Sequence, residues 1–178
     1  FLRLVPHQEA PTAICWGDRN RSVLVRVPLG WQNIDDSMFR DANPNEPPIA
    51  GLPNDSQTIE LRSPDGSAAI HLLLAGIVVA ARIGLTRPGM ADYARKRKVD
   101  GDASQTPGLD QLPSSCFEAA GRLLAQREDY EEGGVFPAGL IDSWAARLVE
   151  LGDMHLRDDL ADSRVSVEEL VERYFHIG

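Results

Sequence analysis

Residues 58–85, TIELRSPDGSAAIHLLLAGIVVAARIGL, decide how the rest of the chain is read. The first five alternate, Ile59 and Leu61 on one face of a strand and Thr58, Glu60 and Arg62 on the other, because successive strand side chains point to opposite faces. Ser63-Pro64-Asp65-Gly66 is turn chemistry, with Asp65 or Ser67 placed to cap a following helix. Beyond it the residues are apolar on nearly every side, the pattern of a helix buried in a core rather than lying on a surface. Gly84, with Pro88 just beyond, marks the expected helix end. A strand with a carboxylate and a guanidinium on one face, tied directly to a core helix, is a rigid support for a preorganised site.

The bulk properties narrow the setting. At 178 residues, with 43% hydrophobic and 25% charged residues, the chain has ordinary globular composition and room for one domain with a core. A net charge of −9 argues against nucleic acid as a partner. The one basic run, Arg95-Lys96-Arg97-Lys98, reads first as a solvated loop and second as a phosphate contact. Cys15 and Cys116 form neither a disulfide framework nor a metal-ligand pattern, which fits a reduced, cytoplasmic setting. The apolar run 68–81 contains His71 and is shorter than a bilayer span, so no membrane association is expected, and no signal peptide is visible. The chain opens at Phe1 without a methionine, so the expectation is either a processed protein or a piece of a larger one.

Toward the N-terminus, residues 13–17 and the β-branched run SVLVRVP at 22–28 flank an Asp18-Arg19-Asn20 turn and predict an antiparallel hairpin. In the second strand Val23, Val25 and Val27 share one face and Leu24 and Arg26 the other; Arg21 joins Arg26 only through a turn or a bulge. Residues 29–57, rich in Asn, Asp and Pro, read as a functional loop or an insertion, and 87–112 as an irregular polar connection. Toward the C-terminus, Ser115 with Glu118 makes a capping box that opens a helix to about Gln126. Gly133-Gly134 marks a turn. Leu140, Ile141, Trp144, Leu148 and Leu151 recur at helical spacing over 137–155. Ser166 with Glu169 starts a last helix, with Val167, Leu170, Val171 and Tyr174 facing inward. Strands cluster early and helices late. The expected class is α+β, with antiparallel strands of the N-terminal half packed on the buried helix and a helical C-terminal half.

Three stretches hold charges on short, firm elements: Arg3 with Glu9, Arg21 with Arg26, and Glu60 with Arg62. Singly, each is an ordinary surface charge. Together they suit phosphoryl transfer, which needs cations beside the phosphate oxygens and carboxylates to hold a divalent metal. Arginine supplies a planar fork matched to phosphate and carboxylate. Glu60 alone cannot make a metal site. His7, His71, His155 and His176 show no ligand spacing, and His71 reads as a satisfied core histidine. No nucleophilic serine or cysteine arrangement is recognisable, and Trp16, Trp31 and Trp144 read as packing residues.

RLVPHQEAP (3–11), NRSVLVRVP (20–28) and IELRSPD (59–65) stand in the order and form of the C-terminal half of glutamine synthetases, and the chain resembles that family. LPSSCFEAAGRLLAQREDYEEGGVFPAGLID (112–142) is similar to its late helical segment and 166–174 to its closing helix. The resemblance implies that residues 1–178 are the C-terminal portion of a glutamine synthetase-like catalytic domain. It implies ATP-dependent ligation of glutamate with ammonia through γ-glutamyl phosphate, with Mg2+ or Mn2+, in a ring-shaped homo-oligomer. By the same resemblance Arg3 holds the substrate carboxylate, and Glu9 closes the site and helps deprotonate ammonium. Arg21 and Arg26 hold the nucleotide phosphates, Glu60 binds metal, and Arg62 lies beside the transferred phosphoryl group and glutamate. The chain departs from the family pattern at Thr58, where an arginine is usual, and at Ala69-Ile70-His71-Leu72, where Asn-Pro-Tyr-Leu is usual. These departures keep two alternatives open: a γ-glutamyl ligase for another amine, and a non-catalytic relative serving assembly or regulation. The family's other glutamate-bearing strands and catalytic histidine lie upstream of these motifs, so the 178-residue chain is expected to have no ligase activity alone.

Overall fold

The structure is a computed structural model that describes residues 10–28, 37–47 and 58–174. It is mixed α+β, with a small sheet and a helical majority. The strands are β1 (Trp16–Asp18), β2 (Val25–Val27) and β3 (Glu60–Leu61), in the spatial order β1-β2-β3. A short helix, α1 (Ser37–Ala42), precedes β3.

β1 and β2 pair in parallel, with Trp16 opposite Val25 and Asp18 opposite Val27, so the expected antiparallel hairpin is corrected. The cause lies in the connection. Arg19 takes a positive φ of 54°, and the chain is then pinned sideways. Asn20 Nδ2 donates to the carbonyls of Val99 (3.1 Å) and Gly101 (2.6 Å), while the Ser22 amide donates to Asn20 Oδ1 (2.9 Å). The Ala103 amide donates to Ser22 Oγ at 2.8 Å. This ties the connection to 99–103 and returns β2 alongside β1 in the same direction. Val23 and Leu24 are both buried and all three residues of β2 are half-buried, so strict alternation does not hold across 23–27. β2 and β3 are antiparallel, with Val25 opposite Leu61 and Arg26 opposite Glu60. The Arg62 amide extends this ladder to the Leu24 carbonyl at 3.0 Å.

The long helix α2 (Ile70–Thr86) runs from Ala69, its N-cap, to Arg87, its C-cap. Neither Asp65 nor Ser67 caps it: Asp65 Oδ1 accepts from the Ser67 amide (2.9 Å) and hydroxyl (2.8 Å), closing a turn on itself. The helix runs past Gly84 because Pro88 sets the limit, holding Arg87 extended at ψ 129°. After it come α3 (Met90–Lys96), a 3-10 turn at Ala103–Gln105, α4 (Cys116–Ala125), α5 (Arg127–Glu131), α6 (Ala138–Glu150), α7 (Leu156–Ala161) and α8 (Val167–Tyr174). The connection 87–112 therefore holds more order than its composition suggests. Leu112 and Ile14 donate to Thr12 and Asp110 carbonyls, both at 2.7 Å, and the Val99 amide donates to the Trp16 carbonyl at 2.9 Å.

Two apolar clusters result. Ala13, Cys15, Val23, Val99 and Ala103, with Leu109, form the first, so the sheet packs on the 99–109 connection. Val79, Phe136 and Ile141, with Leu72, Ala75, Ile83, Leu123, Tyr130 and Leu140, form the second, so α2 packs on the C-terminal helices. Among the described residues, the expectation that the early strands cover α2 is thereby corrected. So is its burial: of α2 only Val79 is buried, at 2% exposure, while Ile70, Leu74, Ile77, Val78 and Leu85 are exposed. An all-round apolar pattern reports what a helix can bury, and the second cluster covers one side. His71 is likewise exposed rather than a core residue.

Ion pairs join the end of α2 to α5 and the turn after it: Arg82 with Glu132 at 2.8 Å, and Arg87 with Asp129. The second capping box forms as expected, the Glu169 amide donating to Ser166 Oγ (3.1 Å) and the Ser166 amide to Glu169 Oε2 (2.9 Å). In α8, however, Val167 and Val171 are exposed. Helix α6 stops at Glu150, short of the expected end, where Gly152 takes a φ of 62°. Among the described residues no single helix is long and apolar enough to cross a bilayer; α2 and α3 pass that test only as a pair bent by 106°.

Candidate active site

β2 and β3 are short, and their register brings three of the singled-out residues together. Arg26 lies opposite Glu60 in the antiparallel pair, and directly opposed residues bring their side chains into contact. Arg26 Nη2 reaches Glu60 Oε2 at 2.6 Å, and Arg62 Nε lies 3.7 Å from Glu60 Oε1. The three side chains are part-buried, with exposures of 24% for Arg26, 41% for Glu60 and 16% for Arg62. Arg26 Nε is buried without a hydrogen-bond acceptor, so the guanidinium keeps a donor in reserve.

The strand presents these groups in the opposite sense to the simplest amphipathic expectation. Ile59 is 72% exposed and Leu61 is exposed, whereas Glu60 and Arg62 are half-buried. The polar face of β3 is the one turned toward β2 and its neighbours. Periodicity correctly put Glu60 and Arg62 on one face but could not say which face looks inward.

Arg21 lies in the exposed connection before β2 and does not join the cluster, because the chain there is bent rather than extended. Arg3 and Glu9 lie outside the described residues. Among the described residues no group of three or more His, Cys, Asp or Glu side chains could hold a metal ion. Glu60 is one carboxylate, already engaged by two guanidiniums, so the described residues alone do not fit a divalent metal. What they fit is an anion: two planar cations converging on one negative group.

Two other charged or nucleophilic features are accounted for by structure. Three of the four cations in the basic run are paired locally: Arg95 with Asp92, Arg97 with Asp110, and Lys98 with Asp18 (3.1 Å) and Asp100 (3.5 Å). Arg97 also stacks 3.5 Å over the Tyr93 ring. Both cysteines are free thiols. Burial and the neighbouring Asp153 push Cys116 up to about 11, and burial raises Cys15. Neither is an activated nucleophile.

Sequence reasoning missed the residues that stitch the sheet in place, Asn20 and Ser22 on 99–103, and the carboxylate that caps α4. Asp153 accepts from the Cys116 amide at 2.7 Å and the Phe117 amide at 3.2 Å, from 37 residues along the chain. An aspartate just beyond a long helix carries no local mark of such a role. The Asn-x-Ser turn at 20–22 did carry one.

The described chain is mixed α+β with an arginine–glutamate–arginine cluster on paired strands, and comparison with known proteins gives its family. The family model described as "Glutamine synthetase, catalytic domain" matches residues 1–155. The chain belongs to the glutamine synthetase family. It is 31% identical to the glutamine synthetase of Thermococcus kodakarensis over 184 aligned residues, covering 99% of this chain and 36% of that protein. The corresponding protein of Pyrococcus abyssi is 32% identical, with the same coverage, 99% and 36%. That of Aquifex aeolicus is 32% identical over 81% of this chain and 27% of its own length. The chain thus spans about a third of the length of the curated relatives it matches.

Proposed function

We propose that residues 1–178 are the C-terminal portion of the catalytic domain of an ATP-dependent glutamate–ammonia ligase. Family membership supports this reading, and the observation that carries it is the convergence of Arg26 and Arg62 on one carboxylate position, with 2.6 Å between Arg26 and Glu60. In the reaction, a γ-carboxylate oxygen of glutamate attacks the terminal phosphorus of ATP and ADP leaves. Ammonia then attacks the acyl carbon, phosphate leaves, and the proton shed by ammonium passes to Glu9. Arg21 and Arg26 bind nucleotide phosphates, and Arg62 stabilises charge on the transferring phosphoryl group. Arg3 pairs with the substrate carboxylate. Glu60 would supply one carboxylate to a divalent cation such as Mg2+ or Mn2+, the remaining donors coming from outside the described residues. The working form is a cytoplasmic homo-oligomeric ring.

The test is ATP-dependent glutamine formation by the full-length polypeptide, with phosphate released in step. Arg62→Ala lowers kcat by about a hundredfold or more, the usual cost of one transition-state cation or donor. Arg26→Gln raises the KM for ATP. The 178-residue chain alone forms no glutamine; turnover by it overturns the assignment of the remaining donors to other segments. The departures at Thr58 and at 69–72 favour one second reading, ligation of another amine. Profiling amines with the full-length protein decides it: product with a primary amine in place of ammonia selects that alternative.

A further inference from the structure

Glu60 is not an idle carboxylate waiting for a ligand. Its two oxygens are directed at two different arginines, Oε2 at Arg26 (2.6 Å) and Oε1 at Arg62 (3.7 Å). We propose that Glu60 is an internal anion seated on the Arg26 guanidinium where an external phosphate would sit, so that the strand pair holds its own phosphate site closed. This rests on the reading of Arg26 as a phosphate-binding residue.

The backbone enforces the contact. The β2–β3 register sets Arg26 and Glu60 face to face, so the carboxylate needs no chain movement to reach the guanidinium. An intramolecular partner on a neighbouring strand competes at a high effective concentration. The planar guanidinium forks suit an anion. The best-formed seat is nevertheless taken, and the buried Arg26 Nε has no acceptor of its own. A polyphosphate must therefore displace Glu60 before it gains the fork. Removing the glutamate charge then strengthens phosphate binding. A carboxylate that acted only by charge repulsion would give the same gain with Arg26 replaced, whereas a competitor for the guanidinium gives none there.

The experiment is calorimetric titration of inorganic tripolyphosphate into the full-length polypeptide in the presence of a chelator. Wild type, Glu60→Gln, Arg26→Gln and the double variant are compared, with circular dichroism confirming the fold of each. Glu60→Gln binds about two- to five-fold more tightly than wild type, the range that an exposed ion pair supports. Arg26→Gln weakens binding, and the double variant loses the gain. If Glu60→Gln does not fold, Glu60→Asp, which keeps the charge but withdraws it by one methylene, shows a smaller gain in the same direction. Unchanged or weaker binding by a folded Glu60 variant, with Arg26→Gln still weakening it, overturns the self-closure alone. Binding indifferent to Arg26→Gln, or absent from every variant, overturns the phosphate reading of Arg26 and the proposal with it.

Discussion

At Gly17 a side chain has nowhere to go. A Cβ built there would stand 2.4 Å from the Val99 carbonyl oxygen, and that carbonyl also accepts from Asn20. The neighbour is backbone held by its own hydrogen bonds, so it cannot swing aside. Gly17→Ala costs about 1–3 kcal/mol, the range for overpacking a rigid site, measured as a fall in the urea midpoint at unchanged slope. Cys116 offers a second test. Its thiol is pushed up to about 11, first by burial and then by the hydrogen bond and negative charge of Asp153. Raising a thiol's pKa keeps it protonated through neutral pH, so iodoacetamide labels Cys116 slowly near pH 8 and fast only as the pH approaches that value. Asp153→Asn removes the charge and speeds labelling at pH 8; an unchanged rate contradicts this account.

At the scale of elements, α2 separates what a pattern permits from what a fold uses. Val79 is packed against Phe136 and Ile141, while Leu85 on the same helix is 88% exposed. Val79→Ala therefore costs about 1–3 kcal/mol, and Leu85→Ser changes stability by no more than about 0.5 kcal/mol. Thermal unfolding of the two variants checks the contrast. The helix starts at Ser115 and Ser166 were legible because a capping box is written within four residues: the Glu118 amide donates to Ser115 Oγ at 3.1 Å. The reciprocal arm falls one residue early, Glu118 Oε2 accepting from the Ser114 amide at 2.8 Å. Strand direction was not legible. Alternation in 22–28 marks an extended segment but not its partner, and the parallel pairing follows from Asn20 and Ser22 reaching a segment some eighty residues away. The cluster of Arg26, Glu60 and Arg62 was legible as residues but not as a contact, since register is a property of two strands together. Nor does a two-residue strand such as β3 declare which face is inner.

Across the whole molecule, the two apolar clusters share no member: the sheet with 99–109 forms one, and α2 with α4, α5 and α6 the other. Cooperative units of a fold tend to follow such divisions. Native-state hydrogen exchange accordingly shows two classes of protected amide, one including Val25 and Val99 and the other α4 and α6. A single uniform class counts against the division. Within the helical unit, α4 and α6 lie along each other, and Asp153, just past α6, accepts both the Cys116 and Phe117 amides at the head of α4. A negative group at that end also complements the helix dipole. Between the two helices the chain turns through Gly133 and Gly134, at φ 74° and 71°. The two helices are thus fastened by a clasp as well as by the chain. A protease that nicks the glycine turn would leave two pieces that still belong to each other, and separately made halves of this unit should find one another and rejoin.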